Sequence, residues 1–186
     1  DADKLKRKGD LMPVMTKLPR VSHSGLMSYR SSGIGKEYEG NLFSAQFNTG
    51  RVMRHVITTM GATFQTEEFP FMTSDSLDSH PTDVLEDADG SLLVVNTGGW
   101  FIAGCPLSVV AKPDIPGCIF RIRKIDAPKM EDPWGRKVDF KSMSLENASG
   151  FLNDARPAVR DNAIEEIIDR GEASVDLLHR ILTSSN

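Results

Sequence analysis

Long apolar runs are missing from this 186-residue chain. No stretch approaches the roughly 20 apolar residues of a membrane-spanning helix, and no cleavable signal is visible. A surplus of positive charge is missing too. With 22 Lys and Arg against 26 Asp and Glu the formal net charge is -4, which argues against a general nucleic-acid binder, since phosphate contacts need a local excess of cations. The basic cluster Lys4, Lys6, Arg7 and Lys8 is balanced by Asp1, Asp3 and Asp10 and reads as a solvated terminus. Cysteine is scarce: Cys105 and Cys118 flank one long loop, and either a disulfide or two reduced, half-buried thiols fits that spacing. There is no Cys-x-x-Cys-His haem attachment site. Gly33-Ile-Gly35 lacks the third glycine and the following helix of a dinucleotide cradle. Asp87-Ala-Asp89-Gly90 lacks the long oxygen-ligand array of a calcium loop and reads as a hairpin turn. No metal site is expected.

What is present is a series of short strands. Gly25–Tyr29, Asn41–Phe47 and Arg51–Ile57 have strand length and are separated by glycine-bearing turns, and Ala62–Gln65 adds a fourth strand that Pro70 should limit. After a polar crossover from Thr73 to Pro81 the pattern recurs. Thr82–Leu85 is a short strand, Leu92–Val95 an apolar run covered on both faces, and Cys118–Ile125 an alternating outer strand. Units of three or four antiparallel strands repeating at roughly 40–50 residues suit propeller blades, and the two sheets of a sandwich would read almost the same way. The loop from Thr97 to Gly117 has the length of a binding or lid segment.

Past Phe140 the periodicity changes to that of helices. Leu145, Ala148 and Leu152 can share one face; Asp154 is the expected cap of a stronger helix with Pro157 in its first turn, a stripe at Val159, Ala163, Ile164, Ile167 and Ile168, and Gly171 as its stop. Val175, Leu178, Ile181 and Leu182 line a third helix. The expected organisation is mainly β plus α: residues 1–126 as two blades, 127–141 as a linker, and 142–186 as a helical hairpin.

Two stretches resemble known families. Asp154–Leu182, with Pro157, Val159, Arg160 and Ala163 in a Pro-x-Val-Arg-x-x-Ala pattern, resembles a HEAT-type repeat. Because such arrays need about three or more repeats, the natural chain is expected to continue past Asn186. Ser22–Lys124 resembles the closing blades of the glucose/sorbosone dehydrogenase family, in the form found in membrane-bound dehydrogenase-like proteins of planctomycete-type bacteria. The likeness rests on His23-Ser-Gly25, Glu39-Gly-Asn-Leu-Phe43, Gln46-Phe-Asn-Thr-Gly50, His80-Pro-Thr-Asp-Val84, Asp89-Gly-Ser-Leu-Leu93, Gly104-Cys-Pro106, Ala111-Lys-Pro113 and Ile119-Phe-Arg-Ile-Arg123. It implies the last two blades of a β-propeller in a fragment opening at Asp1, with the earlier blades upstream.

The resemblance further implies oxidation of sugars or alcohols in the periplasm or cell envelope, with pyrroloquinoline quinone and Ca²⁺ in the parent protein. Its catalytic residues would lie upstream, so none is assigned here. Asn48, His80 and Thr82 occupy the places of the family's basic quinone-carboxylate holders, a departure that removes the charge a polycarboxylate needs. As ligand contacts the candidates are His23, Asp83 and Trp100, against plain readings as a solvated histidine, a turn aspartate and a core cap. His55 reads as surface and His179 as boundary packing; Lys112, Arg123 and Lys124 read as a solvated face. The competing function is a non-catalytic propeller and HEAT-repeat scaffold that binds a glycan on its axial face or a protein through its repeats.

Overall fold

A computed structural model of the chain describes residue 9, residues 13–99 and residues 112–184. Four strands, β1 (His23–Ser28), β2 (Leu42–Gln46), β3 (Arg51–Met60) and β4 (Thr63–Thr73), form an antiparallel sheet in the order β1-β2-β3-β4. Three more, β5 (Pro81–Glu86), β6 (Leu92–Asn96) and β7 (Cys118–Ile122), form a second antiparallel sheet in chain order. Helices α1 (Leu145–Gly150), α2 (Pro157–Asp169) and α3 (Val175–Ser184) follow. The mixed β and α class is as the sequence indicates. The chain divides into two compact units. One holds the described residues of Asp1–Ser28, Gly40–Val84 and Val95–Cys118, the other those of Tyr29–Glu39, Leu85–Val94 and Ile119–Asn186.

In the first unit the sheet has two unlike faces. Phe43, Ala45 and Val52 are fully buried on one, and the Phe71 ring meets Phe43 edge-on at 4.9 Å. Ser44, Gln46 and His55 alternate with them onto the other. Strand β4 runs through Pro70 instead of stopping there. Two features permit it: β4 is an edge strand, and its register shifts beside Pro70, so that Val52 faces Met72 while Met53 faces Pro70. A proline at a bulged edge forfeits no ladder bond that the sheet requires.

The second unit is built around Tyr29 and the helices. Tyr29 is fully buried, donates its hydroxyl proton to Gly90 O at 2.6 Å and accepts from Ile34 N–H at 2.9 Å. Glu86 accepts from Arg30 N–H and Ser31 N–H at 2.7 and 2.9 Å. Asp87–Gly90 is the expected turn, with Gly90 at φ 77° donating to Asp87 O. Strand β7 stops at Ile122, and its residues are exposed or half-buried on both faces rather than on one.

Phe140, Ala148, Val159 and Ala163 form the helical core, with Val138, Met143, Phe151 and Leu152 against it. Pro157 opens α2 and Gly171, at φ 59°, follows its end, as the sequence indicates. Asp154 does not cap it. Its carboxylate is held by the Arg156 backbone N–H and guanidinium at 2.8–2.9 Å, Arg156 stands at the N-cap position, and no side chain caps the helix. A bidentate charged pair outcompetes a cap bond to a neutral amide. The expected stripe also splits. On α2 Val159, Ala163 and Ile167 are buried while Ile164 and Ile168 are exposed, and on α3 Val175 and Leu182 of the expected apolar side are exposed. His179 is exposed rather than at a packing boundary.

Candidate functional site

Two clusters in the first unit carry chemistry. The first surrounds His80 at the entry to β5. Its backbone N–H donates to Asn96 Oδ1 at 2.9 Å, and Nδ1 lies 2.7 Å from Gly98 O. A carbonyl oxygen only accepts, so Nδ1 carries the proton and Nε2 holds the lone pair of the neutral ring. Phe47, at the head of the 3-10 turn Phe47–Thr49, stacks on the imidazole with centroids 4.6 Å apart. Gly50 makes this approach possible: it has φ 62°, and a side chain there would meet Ser79 O at 3.2 Å.

Three of the other sequence-derived candidates, Asn48, Thr82 and Asp83, are fixed to backbone. Asn48 is exposed; its Oδ1 accepts from Ser22 N–H at 2.8 Å and its Nδ2 donates to Arg20 O at 3.3 Å. Thr82 donates to Val95 O at 3.3 Å. The Asp83 carboxylate accepts from Val84 N–H at 2.9 Å. His23, at the start of β1, is exposed and sits opposite Gln46. Trp100 and Cys105 lie outside the described residues, and Cys118 is a free, exposed thiol. Thus the fold brings His80 together with the Phe47–Asn48 turn, but it ties the polar atoms of Asn48 and Thr82 to the main chain.

This donor set does not fit a quinone polycarboxylate. The amide of Asn48 and the hydroxyl of Thr82 are already engaged and carry no positive charge. Among the described residues no group of three His, Cys, Asp or Glu side chains is placed to hold a metal ion.

The second cluster was not legible as a site. His55, read as surface, is 4% exposed. Its Nε2 lies 2.8 Å from Ser44 Oγ, and its Nδ1 lies 3.9 Å from Glu68 Oε1 without a hydrogen bond among the described residues. Register explains the line: Glu68 stands directly opposite His55 across β3 and β4, and Ser44 lies diagonally on β2. Burial lowers the His55 pKa below its ordinary value, against the attraction of Glu68. The Glu68 carboxyl is held below its usual range chiefly by a hydrogen bond from Thr16, then by one from Thr66. Serine, histidine and glutamate in this order resemble a hydrolase triad. Ser44, however, is 2% exposed in the middle of a sheet, where a substrate carbonyl cannot reach its oxygen, so the line fastens strands. The available signal was the pairing of β3 with β4, which sequence alone does not register.

No helix among the described residues is long and apolar enough to cross a membrane. Compared with models of protein families, with curated proteins and with solved structures, the chain has no match.

Proposed function

We propose that the two sheets are blades of a β-propeller followed by a HEAT-type helical pair, and that this assembly is a non-catalytic binding scaffold of the cell envelope rather than a quinone-dependent sugar dehydrogenase. One observation carries the choice of function: at Asn48 and Thr82, polar atoms that a cofactor would need are spent on the Ser22, Arg20 and Val95 backbone. Such bonds fix loops in place and leave nothing to neutralise an anion. The propeller reading draws on the first strands of the two sheets, which lie against one another inside the first unit. Ser24 Oγ donates to Pro81 O at 3.0 Å, and a methyl group at Gly25 would meet Asp83 Cα at 2.7 Å. On the helical side, Ile164, Ile168, Val175 and Leu182 are exposed apolar side chains suited to a protein partner.

The dehydrogenase reading retains one observation, the acceptor nitrogen that the Gly98 carbonyl leaves on His80. Calorimetric titration of the protein with pyrroloquinoline quinone in the presence of Ca²⁺, followed by a sugar-dependent dye-reduction assay, separates the two. No saturable heat and no reduction are the expected results. Micromolar binding that disappears in His80→Ala would overturn the scaffold reading.

A further inference from the structure

Within the second unit a cavity of about 350 Å³ opens beside the Asp87–Gly90 turn. That size falls in the range of small-molecule pockets. Ala127, Pro128, Met130 and Pro133 supply its apolar wall, Arg123, Lys124 and Lys129 supply cations, and Asp89 supplies one carboxylate. Arg123 is paired with Asp89 at 2.8 Å, and Arg121 with Asp87 at 2.5 Å and Asp89 at 3.5 Å, so these two guanidiniums are matched by two carboxylates. Lys124 and Lys129 have no ion-pair partner among the described residues. Two like charges lining one concavity repel each other unless something between them is negative.

Their convergence is built into the backbone. Ala127 N–H donates to Lys124 O at 3.3 Å, and Asp126 adopts φ 58°, turning the chain so that residues five apart line one cavity. A non-glycine residue in the left-handed region is strained, because its Cβ crowds the following carbonyl oxygen. Strain of this kind recurs at ligand clamps. The back of the cavity is close-packed: Gly33 lines it, and a side chain there would meet Gly90 Cα at 2.8 Å.

We infer that this pocket binds a small organic anion, its carboxylate or phosphate head between Lys124 and Lys129 and its apolar body on Pro128, Met130 and Pro133. The site is separate from His80 and does not rest on the scaffold reading. The test is titration of the ¹⁵N-labelled full chain with phenyl phosphate, benzoate, inorganic phosphate and neutral benzyl alcohol. Saturable shifts are expected at the amides of Gly33, Ser91, Lys124, Lys129 and Met130 with phenyl phosphate or benzoate, and the stronger of the two identifies the head group. Benzyl alcohol and inorganic phosphate should each bind at least about tenfold more weakly, since each lacks one half of the recognition. The double variant Lys124→Gln, Lys129→Gln should lose about tenfold or more in affinity. Both lysines are exposed, so the fold should survive, and an unchanged spectrum elsewhere would verify it. Absence of saturable shifts with both aromatic anions, equal binding of benzyl alcohol, or unchanged affinity in the double variant would each overturn the assignment.

Discussion

The polar face of the first sheet and the core beneath α2 exclude water by different means. Ser44, Gln46, His55 and Thr66 are buried on the sheet, whereas Phe140, Ala148, Val159, Ala163 and Ile167 are buried among the helices. Apolar burial is non-directional and indifferent to protons. A buried imidazole between a hydroxyl and a carboxylate depends on geometry and on protonation. The helical region should therefore fail when volume is removed, and the sheet when a partner or a proton is changed.

The largest effect should come from Phe140→Ala. Phe140 is 8% exposed and packs edge-on to Phe151 at 5.2 Å, while its carbonyl accepts from the Arg170 guanidinium at 2.8 Å. Truncating such a ring costs about 3–5 kcal/mol. Urea denaturation followed by far-UV circular dichroism should report that loss, undiminished between pH 7 and pH 5. A cost below about 1 kcal/mol would mean that the core is poorly packed and would break the contrast.

Ser44→Ala ranks next, at about 1–3 kcal/mol. It leaves His55 with neither ring nitrogen bonded in a buried site. Ser44→Thr, which keeps a hydroxyl, should recover part of the loss. The proton arm of the contrast has a definite sign. Burial lowers the folded-state pKa of His55, so the unfolded chain takes up a proton near pH 6.5 that the folded chain resists. The stabilisation is complete above that pH and declines as pH falls. Glu68, also depressed, adds its own loss only below the ordinary carboxylate range. Near α2 the Asp154 and Asp161 carboxyls are held down by Arg156 and Arg30, so that region should weaken only below about pH 4. Hydrogen exchange from pH 7 to 5, corrected for intrinsic rates, should show protection falling first at Ser44, Arg54 and His55. Equal losses at Val159 and Ala163 would refute the distinction.

How far the sequence reveals these regions follows from the same difference. Strand existence was legible from apolar runs and turn residues, and α2 from Pro157, Gly171 and its periodic apolar positions. These are local signals, and the structure has a strand at every expected position, although β4 runs on through Pro70 to Thr73. Three readings failed, two where a distant strand decides and one where a near neighbour two residues along competes for the carboxylate. His55 looks exposed until Glu68 is known to face it, Pro70 looks like a stop until β4 is known to be an edge, and Asp154 looks like a cap until Arg156 is seen to hold its carboxylate. The candidate ligands His80 and Asn48 were legible as residues and not as contacts. Their partners Gly98 O and Ser22 N belong to backbone, whose position no composition or periodicity records.

The smallest effect asks whether polar contacts matter by number or by burial. Arg30 makes two short bonds to Asp161, at 2.8 and 2.6 Å, which by count exceed the single bond between Ser44 and His55. Their side chains are, however, 44% and 47% exposed, and water screens the attraction. Arg30→Ala should cost below about 1 kcal/mol, and less in high salt. The backbone bonds of this residue, Arg30 N–H to Glu86 and Arg160 to Arg30 O, survive the substitution, so the experiment isolates the ion pair. A double-mutant cycle with Asp161→Asn supplies the coupling, and carbon-detected titration of Asp161 should show its pKa rising toward the ordinary value once the guanidinium is gone. If the exposed pair costs as much to remove as the Ser44 hydroxyl, burial is not what gives the sheet's polar face its weight.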